Sequence, residues 1–201
     1  MQLDQSKRGF SFSKEGPLDM RMDASEELTA KKVVNSWPEK KLADLFRDMG
    51  EEPRWRQAAK AIVQARAKKP IETTTELAHV LSEAVGGGKK RLHPATLVFQ
   101  ALRICVNKEL ESIQQGLQKA LHFLSSQGRI GVISFHSLED RIVKCLFKDA
   151  AKKVQEMADQ KEKHLFPMIE ILTKKPLVCS KKEERENPRA RSAKLRFAEK
   201  I

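Results

Sequence analysis

Gly128-Arg129-Ile130-Gly131-Val132-Ile133-Ser134-Phe135-His136-Ser137-Leu138-Glu139-Asp140-Arg141 runs from an apolar, β-branched segment through a Ser-Phe-His-Ser turn into charges at helical spacing. That succession predicts a strand, a polar loop and a helix N-terminus. It puts the chain in the α/β class, where ligands gather at such junctions. Ser137 reads as the helix cap, and Glu139 and Asp140 in the first turn complement the positive end of the helix dipole. Capping accounts for Ser137 and the two acids but not for His136. Apolar residues at 130, 132, 133 and 135 occupy both faces of the strand, the composition of an interior parallel strand covered on both sides.

Around this junction lie 201 residues, 40% of them hydrophobic, enough to bury a core in one domain or two small ones. Lys and Arg number 39 against 27 Asp and Glu, a net charge of +12 that points to a polyanionic partner, nucleic acid first. No apolar run reaches membrane-spanning length, and the N-terminus lacks a signal or transit pattern, so the chain reads as soluble and cytoplasmic. Cys105, Cys145 and Cys179 are far apart and odd in number, and the five histidines are scattered. They read as reduced structural thiols with no metal site.

Upstream of the junction, His93-Pro94-Ala95-Thr96 opens a long helical region whose stripe from Leu102 through Cys105, Leu110, Ile113, Leu117 and Leu121 ends at Leu124. From Thr29 to Val85 the period is helical throughout. A short helix begins at Pro38 and ends at Gly50, a longer one runs from Trp55 to Pro70, and Thr73 with Glu76 forms a capping box ahead of a third. Gly86-Gly87-Gly88 with Lys89-Lys90-Arg91 has no preceding strand and no closing Gly-Lys-Ser/Thr, so it reads as a basic hinge rather than a phosphate loop. Residues 1 to 27 form a loop. In it Phe10 and Phe12, flanked by Arg8, Lys14 and Arg21, suit an unstacked base beside phosphates, but the residues alone favour the reading in which they serve with Met20 and Met22 to anchor the loop to its own domain.

Downstream, Ile142, Val143, Leu146 and Phe147 mark the buried face of a helix running into a charged stretch near Lys163. Phe166 to Leu172 is a second strand candidate, Ser180 with Glu183 caps a short helix, and Arg189 to Ala198 is the last strand candidate. From Lys174 to Ile201 there are ten Lys and Arg against four Glu, half of the net charge. Whether that tail meets phosphates or only water is open at this level.

Four segments carry a resemblance: Arg-Gly-Phe-Ser-Phe-Ser-Lys-Glu-Gly-Pro-Leu-Asp-Met-Arg-Met-Asp (8 to 23), His-Pro-Ala-Thr with Phe-Gln-Ala-Leu-Arg-Ile-Cys-Val-Asn (93 to 107), Ser-Phe-His-Ser-Leu-Glu-Asp-Arg-Ile-Val-Lys (134 to 144) and Glu-Asn-Pro-Arg-Ala-Arg-Ser-Ala-Lys-Leu-Arg (186 to 196). In this order they closely resemble the MraW-type family. Its members use S-adenosylmethionine to methylate N4 of a cytosine in the decoding centre of small-subunit (16S) ribosomal RNA. The resemblance implies a Rossmann-like class I methyltransferase sheet with an inserted all-helical substrate domain. Residues 1–27 would lead from the methyltransferase core into the insert, 28–92 would be the substrate domain, and 93–201 the C-terminal part of the core. The partner implied is the ribosomal RNA or the assembling 30S subunit.

Members of the family carry, ahead of the position where this chain begins, a glycine-rich loop, an acidic ribose-binding residue and an Asp-Leu-Gly-Val-Ser-Ser segment. The expectation is therefore a truncated chain holding only the C-terminal strands, with Gln2 the one cofactor contact present. His136, Ser137 and Asp140 are expected at the reaction site, Phe10 and Phe12 against the flipped base, and Arg8, Arg21, Arg189, Arg191 and Lys194 on phosphates. A catalytically inactive RNA-binding fragment is the alternative, ahead of a basic helical protein that binds DNA or a protein partner.

Overall fold

The computed structural model describes residues 6–86, 93–157 and 169–201, without the side chains of Ser6 and of positions 152–157. Gln2, the glycine-lysine segment 87–92 and positions 166–168 lie outside the described residues. The chain divides into two compact units, 1–109 and 110–201.

In the first unit, local capping chemistry starts the helices. Thr29 accepts the Lys32 N–H to open α1 (Ala30–Ser36), and Pro38 precedes α2 (Glu39–Asp48). After α3 (Trp55–Lys68), Thr73 and Glu76 form the expected reciprocal box at the start of α4 (Thr74–Val85). These helices and α5 (Thr96–Asn107) enclose a core that includes Leu42, Phe46, Ile62, Leu77, Leu81 and Leu102. The unit extends beyond the Thr29 to Val85 stretch of helical period, because Phe10, Leu18, Met20 and α5 contribute to the same core.

The leading loop is stitched to this core through its backbone. Leu18 N–H donates to Glu72 O, Thr74 N–H to Gly16 O, and Met20 N–H to Arg8 O, all near 3 Å. Gly9 has φ +71°, and a Cβ there would fall 2.0 Å from Pro17 O, so only glycine fits.

The stripe from 96 to 124 is not one helix. α5 ends at Asn107, Lys108 takes the left-handed conformation at φ 51°, and α6 (Glu109–Phe123) begins at once. The break comes from a side chain rather than from Gly or Pro. Asn107 Nδ2 donates to Met20 O at 2.8 Å and its Oδ1 accepts the Met22 N–H at 2.7 Å, so the helix end is held by the leading loop.

The second unit is a sheet backed by helices. β1 (Arg129–Ser134), β2 (Ile169–Ile171) and the two-residue β3 (Leu177–Val178) all pair antiparallel with β4 (Lys194–Lys200). β1 and β2 therefore run parallel on either side of β4, joined through α7 (Ser137–Met157). Among the described residues β1 pairs only with β4, so it stands at an edge of this sheet. Its covered face puts Ile130 and Val132 against Leu117, Leu121, Val143, Phe147 and Ala198, while Ile133 on the other face is 57% exposed. Gly131 lies opposite Phe197, whose ring occupies the place of a Cβ, 2.6 Å from it.

The last strand candidate also divides. Pro188–Ser192 is a 3-10 turn and only Lys194 onward is strand, because Pro188 fixes a turn that the alternating Arg-Ala-Arg pattern conceals. Ahead of it, Ser180 accepts the Glu183 N–H to open α8 (Lys181–Glu186), as read. Among the described residues no helix is long and apolar enough to cross a membrane.

The Thr73–Glu76 box gives the first unit a pH signature. Lys69 and the N–H groups of Glu72 and Thr73 hold the Glu76 carboxyl down to about 2 from its ordinary 4.5. A depressed carboxyl stabilises the fold above its unfolded pKa, and that contribution is lost as the pH falls from the ordinary value toward 2. Urea unfolding across this window should show a stability loss that shrinks in Glu76→Gln. An identical slope in the variant would mean that the box does not feel the charge.

Candidate functional site

The expected junction forms at the end of β1, but the cap is His136 rather than Ser137. Asp140 N–H donates to His136 O at 3.2 Å, which closes the first helical turn of α7. Glu139 N–H donates to His136 Nδ1 at 3.3 Å. Glu139 Oε2 reaches back to accept the N–H groups of Phe135 at 2.6 Å and His136 at 3.1 Å. This is a capping box with an imidazole where Ser or Thr is usual. The signal was in the sequence as His136-Ser137-Leu138-Glu139, with Glu three residues past the cap. Histidine is an uncommon cap, so serine beside it was favoured.

The cap also fixes the ring's chemistry. Because Nδ1 accepts, the neutral imidazole carries its proton on Nε2, 3.3 Å from Glu139 Oε1. The ring is 11% exposed. Ser137, next along, is exposed.

Asp140 lies one residue beyond the clamp, at the foot of a buried ion pair. Arg196 Nε and Nη2 donate to its two oxygens at 2.7 and 3.1 Å, a bidentate fork. Lys194 Nζ stands 3.6 Å from Asp140 Oδ2. Hydrogen bonding from Arg196, together with its charge and that of Lys194, holds the Asp140 carboxyl below the ordinary carboxylate range against the opposing effect of burial. Strand period explains Arg196. It shares the helix-covered face of β4 with Ala198, and a guanidinium there needs an acid. Sequence reasoning missed this pair because its members are 56 residues apart.

His136, Ser137, Asp140 and Lys194 are thus gathered at one end of the second unit. Arg189 and Arg191 lie in the same unit, exposed on the 3-10 turn. Arg8, Phe10, Phe12 and Arg21 belong to the first unit. Phe10 is in its core at 7% exposure and offers no open ring face. Half-buried Phe12 stacks on His93 at 4.5 Å and meets Phe99 edge-on. Arg21 is bidentate to Asp19 at 2.7 and 2.9 Å and also donates to the carbonyls of Ala24 and Glu26, while Arg8 remains exposed. In this loop, anchoring is what the geometry bears out for Phe10 and Met20.

A sequence model described as the MraW methylase family matches residues 1–201. A protein of Protochlamydia amoebophila is 51% identical across the whole chain, which covers 65% of that relative. One of Synechocystis is 48% identical with 60% of its length covered, and one of Caldicellulosiruptor bescii is 50% identical with 66% covered. All three bear the name ribosomal RNA small subunit methyltransferase H. The chain spans roughly two thirds of the length of the relatives it matches, or a little less.

The cap assignment is checked by two substitutions. His136→Ala should lower the unfolding free energy by about 1 kcal/mol, whereas His136→Asn, a good cap, should retain most of it. Equal losses in chemical unfolding would show that ring packing, not capping, is what the position supplies.

Proposed function

From the MraW methylase family, to which the chain belongs along its whole length, we propose that this polypeptide supplies the RNA-holding wall of an S-adenosylmethionine-dependent methyltransferase acting on N4 of a cytosine in the decoding centre of small-subunit ribosomal RNA. The observation that carries this reading is the strand-end cluster of His136, Ser137 and Lys194 in a chain matched over residues 1–201. Residues 28–92 would be the substrate-recognition insert, with Arg8, Arg189 and Arg191 on phosphates. A ribosomal substrate would place the reaction in the cytoplasm.

The described residues do not by themselves fit the cofactor. The two carboxylates at the strand end are committed. Glu139 accepts backbone N–H groups and Asp140 accepts Arg196 with both oxygens. What these residues fit is the base.

An exocyclic amine is a poor nucleophile because its lone pair is delocalised into the ring. The site must therefore hold the base rigidly and accept the amine hydrogens as the nitrogen pyramidalises. His136 Nε2 is buried and faces Glu139 Oε1 at 3.3 Å, so its N–H would have to swing off Glu139 to donate to the cytosine ring nitrogen or carbonyl, and it does not accept the amine hydrogens. The Ser137 hydroxyl oxygen, one residue on, is able to accept one of them. The base must leave its stack to reach either group.

The cap variants also test the chemistry. In a polypeptide extended to the length of its relatives, both His136→Ala and His136→Asn should lower methyl transfer to ribosomal RNA more than tenfold. Near-normal turnover in His136→Asn would leave the ring as a cap alone. The committed carboxylates favour one further reading for the 201-residue chain itself, an inactive RNA-binding fragment. Calorimetric titration with S-adenosylmethionine separates the two: no binding heat supports the fragment, and saturable binding contradicts it.

A further inference from the structure

We propose that the cavity between α7, the end of β2 and β4 is a second RNA contact, seating one nucleotide of a single strand with its phosphates on Lys144, Lys148 and Lys174. The proposal rests on the RNA-substrate reading. The cavity has a volume of about 320 Å³ and is lined by these lysines together with Phe147, Ile171, Thr173 and Arg196. That lies at the small end of ligand cavities, roughly 300 to 1,000 Å³.

Lys144 and Lys148 are one helical turn apart, so both ammonium groups rise from the same side of α7. Like charges at that spacing repel and weaken a helix, a cost that an anion between them removes. Among the described residues none of the three lysines has a carboxylate partner, and no carboxylate lines the cavity. Arg196 is already neutralised by Asp140, so the unmatched charge belongs to the lysines. Thr173 holds the β2 end in place by accepting the Phe197 N–H at 2.9 Å, which fixes the backbone that carries Lys174. The floor is apolar, with Phe147 and half-buried Ile171. Solvated lysines need no such floor, but a base does, and a cationic rim over an apolar floor is how single strands are held. Lys144 also closes the 134–144 segment, where the strand-end site makes no use of it.

The test uses the 201-residue chain and a short single-stranded RNA copied from small-subunit ribosomal RNA. For the triple variant Lys144→Gln, Lys148→Gln, Lys174→Gln, the slope of log affinity against log salt should fall by roughly 1.4, at about 0.7 for each of the two phosphates that flank the nucleotide. In the wild-type chain the same RNA should slow acylation of these three lysines several-fold relative to exposed Lys119 on α6, a readout that needs no variant to fold. If the wild-type chain does not bind RNA at low salt, the RNA reading itself fails and the cavity assignment with it. If it binds but the slope and the acylation rates are unchanged, only the cavity assignment is overturned. Equal protection by free cytidine monophosphate, or by polyglutamate, would overturn it in favour of a free nucleotide or an acidic protein.

Discussion

Arg196 sits on the helix-covered face of the strand to which every other described strand pairs, and a buried guanidinium without a partner would be severely destabilising. Asp140 answers it from the first turn of α7 with both carboxylate oxygens. The pair does more than neutralise charge. Because the fork is planar and bidentate, it fixes the azimuth of the helix's first turn over β4, and with it the cap residue His136. The opposite end of the sheet is tied in a related way: Lys200, at the end of β4, donates to the carbonyls of His122 and Leu124 where α6 finishes. Packing of Phe147, Val143 and Leu121 supplies the bulk of the attraction between helices and sheet, and the polar ties set its register.

The same commitments limit what the strand end can do. Two carboxylates stand where a general base would be sought, yet each is engaged by the fold, one by backbone N–H groups and the other by arginine. A carboxylate held low by Arg196 is a weak proton acceptor. The strand end also carries the His136 imidazole, with Nε2 3.3 Å from Glu139 Oε1, the Ser137 hydroxyl, and cations at Lys194 and on the 188–192 turn. On the proposed function, those groups would face the base and its phosphates, the half of a methyl transfer that does not involve the sulfonium. The lysines on α7 extend that character away from the strand end.

The features legible in the sequence were those set within a few residues. The Thr73–Glu76 box, the Ser180 cap and the strand beginning at Arg129 all follow from local patterns, and the four matched segments gave the family. The features that were not legible depend on contacts far along the chain or on an unusual residue in a familiar role. Lys108 breaks a helix because Asn107 is claimed by residues 20–22. The 189–192 segment has strand-like alternation but obeys Pro188. Ile133 and Phe135 suggested cover on both faces of β1, whereas among the described residues they are more than half exposed. Asp140 looked available because nothing near it in sequence announced Arg196. Histidine was suspected of chemistry at position 136 for the reason that it is a poor cap, and it proved to be capping all the same.

The most direct test of this account is a double-mutant cycle on Asp140 and Arg196, using Asp140→Asn, Arg196→Met and the combination, followed by chemical unfolding. If the pair locks α7 to β4, each single variant should lose about 3 to 5 kcal/mol, and the double variant should lose clearly less than the sum. The coupling should be on the order of 2 kcal/mol or more. Additive losses, with coupling near zero, would contradict the claim that this pair positions the strand-end site.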